Sequence, residues 1–318
     1  MVIADITIDG ETNPIKPFTD DDIQCLAGLE ALRNFMISKV PVSTDGLRFI
    51  GTCPNLVKVT VKYMEVEGSF MRHLAALKKL EEIEVIYNRM KGVQFSALTS
   101  PVLKMVGLGN SGAGDETLAE LSRHTSIEHL NVGNSKVTDA GIIHLVALKK
   151  LAAIYAGQTA VTGKGLAPLQ GKPITKLGIG TTGVAVLEDL TGAARPFPGG
   201  RFLDLPRWGS LPGGTSPPIA RLFPDLERLV TPDVKMADTS WSGLSAMSKL
   251  TVLSLGGSDV SDAAVGSLQQ MKKLQSLDVS NSKLTDAALP QLAKIKGLKY
   301  LDTRNTAITQ PAVAAFKK

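Results

Sequence analysis

The sequence predicts an α/β solenoid: stacked strand–turn–helix units, with parallel strands along one side and helices along the other. Three observations lead there. Two distant stretches, NSKVTDAGI at 134–142 and NSKLTDAAL at 281–289, are nearly the same nine letters. Apolar residues recur in one long register through the chain. Within each period, their spacing changes from that of a strand to that of a helix.

The register runs through Leu32, Leu56, Leu80, Leu103, Ile127, Leu151 and Ile174, in steps of 24, 24, 23, 24, 24 and 23. It resumes at Leu226, Leu250, Leu274 and Leu298, in steps of 24. Ile3, Ile6 and Ile8 open a looser first copy, and the 52 residues from Ile174 to Leu226 leave room for two copies, the second degenerate. Apolar residues at unit positions 1, 4 and 6 suit a short strand whose alternate side chains point inward. Those at positions 16, 19 and 22 follow helical spacing. One such unit cannot bury its apolar face alone, whereas stacked units share a continuous core. The expectation is a single domain over 1–318, interrupted at about 195–224.

At those residues the pattern fails. RPFPGGRFLDLPRWGSLPGGTSPPIARLFP holds seven of the 17 prolines, and four arginines against one acid, Asp204. Pro and Gly preclude a regular helix, while Phe197, Phe202, Trp208 and Phe223 argue against a flexible linker. The stretch reads either as an ordered recognition insertion anchored by Trp208, Arg201 and Arg207, or as a drifted repeat whose aromatics complete the core.

The run LxxLxVxNSxLTDAALxxL at 274–292, and its counterpart at 127–145, resemble the leucine-rich repeat family, in the longer-repeat subclass with ITDAGL-like units. The resemblance covers nearly the whole chain. It implies a right-handed horseshoe of about 24 residues per repeat, with strands on the concave face and helices on the convex face. It also implies a binding module rather than an enzyme; members bind very different partners, so it names none. No F-box-like segment stands in the chain, so the ligase-adapter role of F-box-type members is not implied. The subclass places Asn, Cys or Thr at position 9. Here Ser135, Thr159, Thr182, Ser258, Ser282 and Thr306 fit, whereas Val40, Met64 and Val234 interrupt the polar ladder.

Other chemistries find little footing. GLGNSG at 107–112 and GIGTTG at 178–183 match the dinucleotide fingerprint, but both fall at unit positions 5, 7 and 10, where a shared register explains them. His73, His124, His129 and His144 scatter over different faces, so no metal and no cofactor is expected. The two cysteines, Cys25 and Cys53, are too few to staple the chain, and Cys53 takes a core position. A net charge of +5 invites a nucleic-acid partner. The paired lysines at 78–79, 149–150, 272–273 and 317–318 instead close helical segments, where cations complement the macrodipole, so nucleic acid is disfavoured. The start lacks the features of a secretory signal, and no apolar run reaches membrane-spanning length. A soluble chain is expected. The compartment stays open: cytoplasmic by default, secreted or surface-attached if a signal was removed.

The outward strand positions 3, 5 and 7, with position 8 on the rim, form the expected recognition face. They carry Lys58, Lys62, Glu82 and Glu84 early, with Tyr63 and Tyr87 on the rim. His129, Asn131, Tyr155 and Lys176 follow in the middle, among glycines that leave a shallow, open floor. Tyr300 and Arg304 come last. All four tyrosines fall on this face or its rim, as binding surfaces favour. The expected partner is a protein or peptide. The alternative is a structural or regulatory repeat segment of a larger assembly, or a scaffold that self-associates through an open last helix. Thr138 and Thr285 stand at helix N-caps, with Asp139 and Asp286 in the first turn.

Overall fold

The computed structural model describes residues 4–11, 19–88, 94–179, 197, 199–205, 219–235 and 243–316. The chain divides into two compact units, Met1–Ala160 and Val161–Lys318.

The first unit carries seven parallel strands: β1 (Asp5–Asp9), β2 (Asn34–Ser38), β3 (Lys58–Lys62), β4 (Glu82–Ile86), β5 (Met105–Gly107), β6 (His129–Asn131) and β7 (Ala153–Tyr155). Each pairs with its sequence neighbour, and residues at the same unit position lie side by side, as Asn34, Lys58, Glu82, Met105, His129 and Ala153 do. Parallel strands need a crossover, supplied here by the rest of each coil. Alternation then sends Phe35 and Ile37, Val59 and Val61, Ile83 and Val85, and Leu130 and Val132 into the core, all essentially inaccessible.

The second unit repeats the plan with β8 (Lys176–Gly178), β9 (Phe202–Asp204), β10 (Arg228–Val230), β11 (Val252–Ser254), β12 (Ser276–Asp278) and β13 (Tyr300–Asp302), again parallel and in chain order. Within the Pro/Gly-rich stretch, β9 pairs with both β8 and β10. Leu203, Leu205, Ile219 and Leu222 are buried there, and the rings of Phe197 and Phe223 stack at 5.2 Å in the core. Arg207 and Trp208 lie outside the described residues.

The helical half of each coil is shorter and tighter than its spacing predicts. Gly46–Thr52, Gly68–Leu74 and Phe95–Ala97 are 3-10 helices, while Asp115–Leu121 and Asp262–Leu268 are two-turn α-helices. A 3-10 helix rises about 2.0 Å per residue against about 1.5 Å for an α-helix, so it spans a coil's back with fewer residues.

The polar ladder at position 9 is mixed, as its residue types require. Asn88, fully buried, donates from Nδ2 to the carbonyls of Val61 (3.0 Å) and Ile86 (2.9 Å), and Thr159 Oγ1 donates to Ala156 (2.6 Å). Val40, Met64 and Val234 fill the same slot as buried apolar groups.

Candidate functional site

The repeated NSK–T–D segments are structural, and they tie one coil to the next. Thr138 caps the helix Asp139–Ile142, its Oγ1 accepting from Ala140 N (3.2 Å). The carboxylate that meets Thr138 belongs to the preceding coil: Asp115 accepts from Thr138 N (2.7 Å) and Thr138 Oγ1 (2.6 Å). Thr285 meets Asp262 at 2.9 and 2.5 Å, and Thr309 meets Asp286 at 2.7 and 2.9 Å, through the same atoms. Ser43 makes the same pair of bonds to Asp20, whose carboxyl they hold below its ordinary range. Gly141 permits this approach, because a Cβ there would stand 3.0 Å from Asp115 Cα and closer still to its carboxylate. A first-turn aspartate therefore does more than complement its own helix. It clamps the next coil.

The coils of β3 and β4 lack a hydroxyl at the clamp position, which holds Glu67 and Lys91. Behind the strands, Glu67 N donates to Thr44 Oγ1 of the preceding coil (2.9 Å) and Thr99 Oγ1 to Ala75 O (2.6 Å), and the coils of β3 and β4 are joined on the strand face as well. Lys58 Nζ lies 2.9 Å from Glu82 and 3.9 Å from Glu84, and Lys62 lies 3.3 Å from Glu84. Hydrogen bonding to Glu82 holds the Lys58 ammonium above its ordinary range. Thr60 is buried among these pairs. On the rim, Tyr63 and Tyr87 stack with centroids 4.4 Å apart and planes 11° apart, and Lys39 Nζ sits 5.1 Å from the Tyr63 centroid while pairing with Glu11. Each tyrosine ring is about half exposed.

This rim column is a left-handed position in every coil of the first unit from β2 onward: Lys39, Tyr63, Tyr87, Asn110, Asn134 and Gln158 all have φ between 49° and 59°. Asn adopts this conformation readily, whereas a bulky residue there is an outlier. Backbone bonds to the next coil hold it, such as Tyr63 N to Ile86 O and Tyr87 N to Gly109 O. The two tyrosines thus stand as a ridge beside a row of shorter amides.

Beyond the ridge, the outward positions of β5 to β7 and their rim are Met105, Gly107, Gly109, Asn110, His129, Asn131, Gly133, Asn134, Ala153, Tyr155, Gly157 and Gln158. No Asp, Glu, Lys or Arg is among them. His129, Asn131, Asn134 and Gln158 are exposed and Tyr155 is half-buried. The expected open glycine floor needs correction, because side chains from neighbouring positions cover it. Gly107 and Gly109 are buried. A Cβ on Gly107 would meet Glu84 at 3.2 Å, and Cβ atoms on Gly109 and Gly133 would meet the Asn131 carboxamide at 3.5 and 3.3 Å. Asn131 Oδ1 accepts from Gly133 N (3.0 Å), which lays its side chain across the strand ends. The surface is flat rather than hollow.

In the second unit, Lys176 and Arg201 are exposed, and Arg201 lies 3.5 Å from Glu227. The Arg228 guanidinium stands 5.5 Å from the Phe202 centroid, and burial pushes the neighbouring Asp204 carboxyl up against the opposing pull of Arg228. Tyr300 is the most exposed of the tyrosines at 71 %. Arg304 is already held, donating from Nε and Nη2 to Asp302 at 3.0 and 2.6 Å. The first unit therefore gathers Tyr63, Tyr87, His129, Asn131 and Tyr155 on one strand face, and Lys176, Arg201, Tyr300 and Arg304 lie in the second. Asn110, Asn134 and Gln158 were missed by the sequence reading, although the rim position that picked out the tyrosines also marks them. Among the described residues, no group of three or more His, Cys, Asp or Glu could hold a metal, and no helix is long and apolar enough to cross a membrane.

No protein-family model matches the chain, and no curated protein sequence matches it. Solved structures do match. An internalin (inlF) from Listeria monocytogenes str. 4b F2365 aligns with a TM-score of 0.63 at 19 % identity, covering 99 % of this chain and 85 % of its own. The Leptospira interrogans LRR protein LIC12759 aligns with a TM-score of 0.54 at 16 % identity, covering 95 % of this chain and 91 % of its own. The fold is a leucine-rich-repeat α/β solenoid.

Proposed function

We propose that the strand face of the first unit is a non-catalytic binding surface for a protein or peptide, centred on the coils of β5 to β7 and bordered by the Tyr63–Tyr87 ridge. One observation carries this: twelve adjoining outward positions hold no charged residue, in a chain where 20 % of residues are charged. In their place stand Tyr, Asn, Gln, His and Gly, with Met105 and Ala153. Tyr offers large, rigid contact area at low entropic cost, and amides offer adaptable hydrogen bonds, the composition of protein-binding paratopes. Tyr87, His129, Asn131 and Tyr155 would make the contacts, with Tyr63 supporting Tyr87 from behind.

The test replaces Tyr87, His129 and Tyr155 together with alanine and compares captured partners with those of the wild type and of a Tyr300→Ala control. Loss in the triple variant alone, with the fold intact by circular dichroism, supports the surface. An unchanged partner set removes it.

A further inference from the structure

We infer that the partner segment seated beside Tyr87 is a neutral, proline-rich chain in the polyproline II conformation, running along the rim from Tyr87 over Asn110 and Asn134; this rests on the binding surface proposed above. Three features converge on that chemistry.

The first is the aromatic column. Lys39, Tyr63 and Tyr87 stack in chain order, one per coil, so the inner faces of the two rings are occupied by each other and the outer face of Tyr63 by the Lys39 ammonium. The outer face of Tyr87 has no ring or cation over it among the described residues, and the column there steps down to the shorter Asn110. Another flat ring is what would continue the stack. Polyproline segments dock their rings on aromatic side chains in this way and enter with little entropy to lose.

The second is the balance of donors and acceptors. The Asn131 carbonyl already accepts from Gly133 N, and the Asn110 carbonyl accepts from Asn134 Nδ2. The Asn131 and Asn110 Nδ2 groups have no partner among the described residues. At Asn110 and Asn131 the acceptor is therefore committed inside the protein while the donor is not; at Asn134 it is the Nδ2 donor that is committed. A proline-rich chain is the complement, because proline has a carbonyl but no N–H. An ordinary extended peptide would bring an N–H at each residue, and the sheet beneath it has no free backbone acceptor row to take them, since each interior strand is paired on both sides.

The third is pitch. Adjacent strands lie about 4.8 Å apart, so two coils advance about 9.6 Å. Polyproline II advances about 9.3 Å per three-residue turn. A ring on the open face of Tyr87 sits at the level of Asn110, so the equivalent residue three positions on falls over Gln158, two coils further, and the intervening carbonyls pass Asn134. The absence of Asp, Glu, Lys and Arg from the outward and rim positions of β5 to β7 matches a segment without charge.

The experiment titrates the whole chain into three fluorescein-labelled or competing probes: a proline nonamer, a Gly/Ser nonamer and a neutral hexasaccharide. Saturable anisotropy with the proline nonamer alone is expected. It should weaken about tenfold or more in Tyr87→Asn, a change that removes the ring but suits the left-handed backbone. Binding should stay within about threefold in Tyr87→Phe, and it should be unchanged in Tyr300→Ala. Equal binding of the Gly/Ser nonamer, displacement by the hexasaccharide, or indifference to Tyr87→Asn each overturns the inference. Should proline peptides fail while the Tyr87/His129/Tyr155 variant still loses its captured partner, the partner class is wrong and the surface stands. Should both fail, neither stands.

Discussion

Two neighbouring stretches of the same strand face differ in how far that face takes part in holding their coils together. The coils of β3 and β4 have Glu67 and Lys91 where others carry a clamping hydroxyl, and besides ties behind the sheet such as Thr99 to Ala75 they are joined on the strand face by Lys58, Lys62, Glu82, Glu84 and the stacked tyrosines. The coils of β5 and β6 are tied behind, by Asp115 and Thr138. Their strand face carries no charge and keeps several amide donors uncommitted. In the β5–β6 stretch the face takes no charged pair into the joining, which is why it is the proposed binding surface. Where the face does the joining, its polar groups are already matched to one another.

The largest expected effect that sharpens this contrast is on binding. Alanine at Tyr87, His129 and Tyr155 should weaken partner capture by about tenfold or more, while Glu82→Gln with Lys58→Met should leave capture nearly unchanged. Parallel capture assays with both variants read the difference.

Next comes the clamp. Asp115→Ala removes the acceptor of two part-buried bonds from Thr138 and should cost about 2 kcal/mol, read as a shift in the denaturation midpoint. The loss should be nearly independent of salt, because the partner is neutral. Thr138→Ala, which keeps the backbone donor, should cost about 1 kcal/mol.

On the charged stretch the effect is smaller. Glu82→Gln should cost less than about 1 kcal/mol at low salt and less still at high salt. Its pH signature has a definite sign. The Lys58 ammonium is held above its ordinary value, first by hydrogen bonding to Glu82. That contribution is complete below the unfolded lysine value and is lost as pH rises through the raised folded value. Stability should therefore fall more steeply at strongly alkaline pH in the wild type than in Glu82→Gln.

The smallest change concerns the rim. Gln158 adopts φ 59°, and Gln158→Asn should raise stability by a few tenths of a kcal/mol, since Asn tolerates that conformation better.

Much of the fold was legible because the leucine register is periodic. Once Leu56 and Leu80 are aligned, Lys58 must lie beside Glu82, and the structure pairs them. The exposed tyrosines were legible for the same reason. Features that join coils at different unit positions were not. Asp115 and Thr138 look like two local helix-end residues until the chain is wound, because the carboxylate one residue beyond the N-cap, here Gly114, serves the next coil's threonine, 23 residues on. The glycine rows misled in the opposite direction. A missing side chain suggests a hollow, yet Asn131 reaches across Gly109 and Gly133 because its carbonyl finds the Gly133 N–H. The helix type was also hidden, since spacing of three and four positions does not separate a 3-10 turn from an α turn.

The most direct test of the central claim places a photo-crosslinking residue, one at a time, at Asn134, Gln158, Lys58 and Lys62, and compares adducts formed in extract. Adducts concentrated at Asn134 and Gln158, with few at Lys58 and Lys62, are predicted. Adducts concentrated at the two lysines, or spread evenly over all four, would contradict the claim that the charge-free stretch is the one that binds.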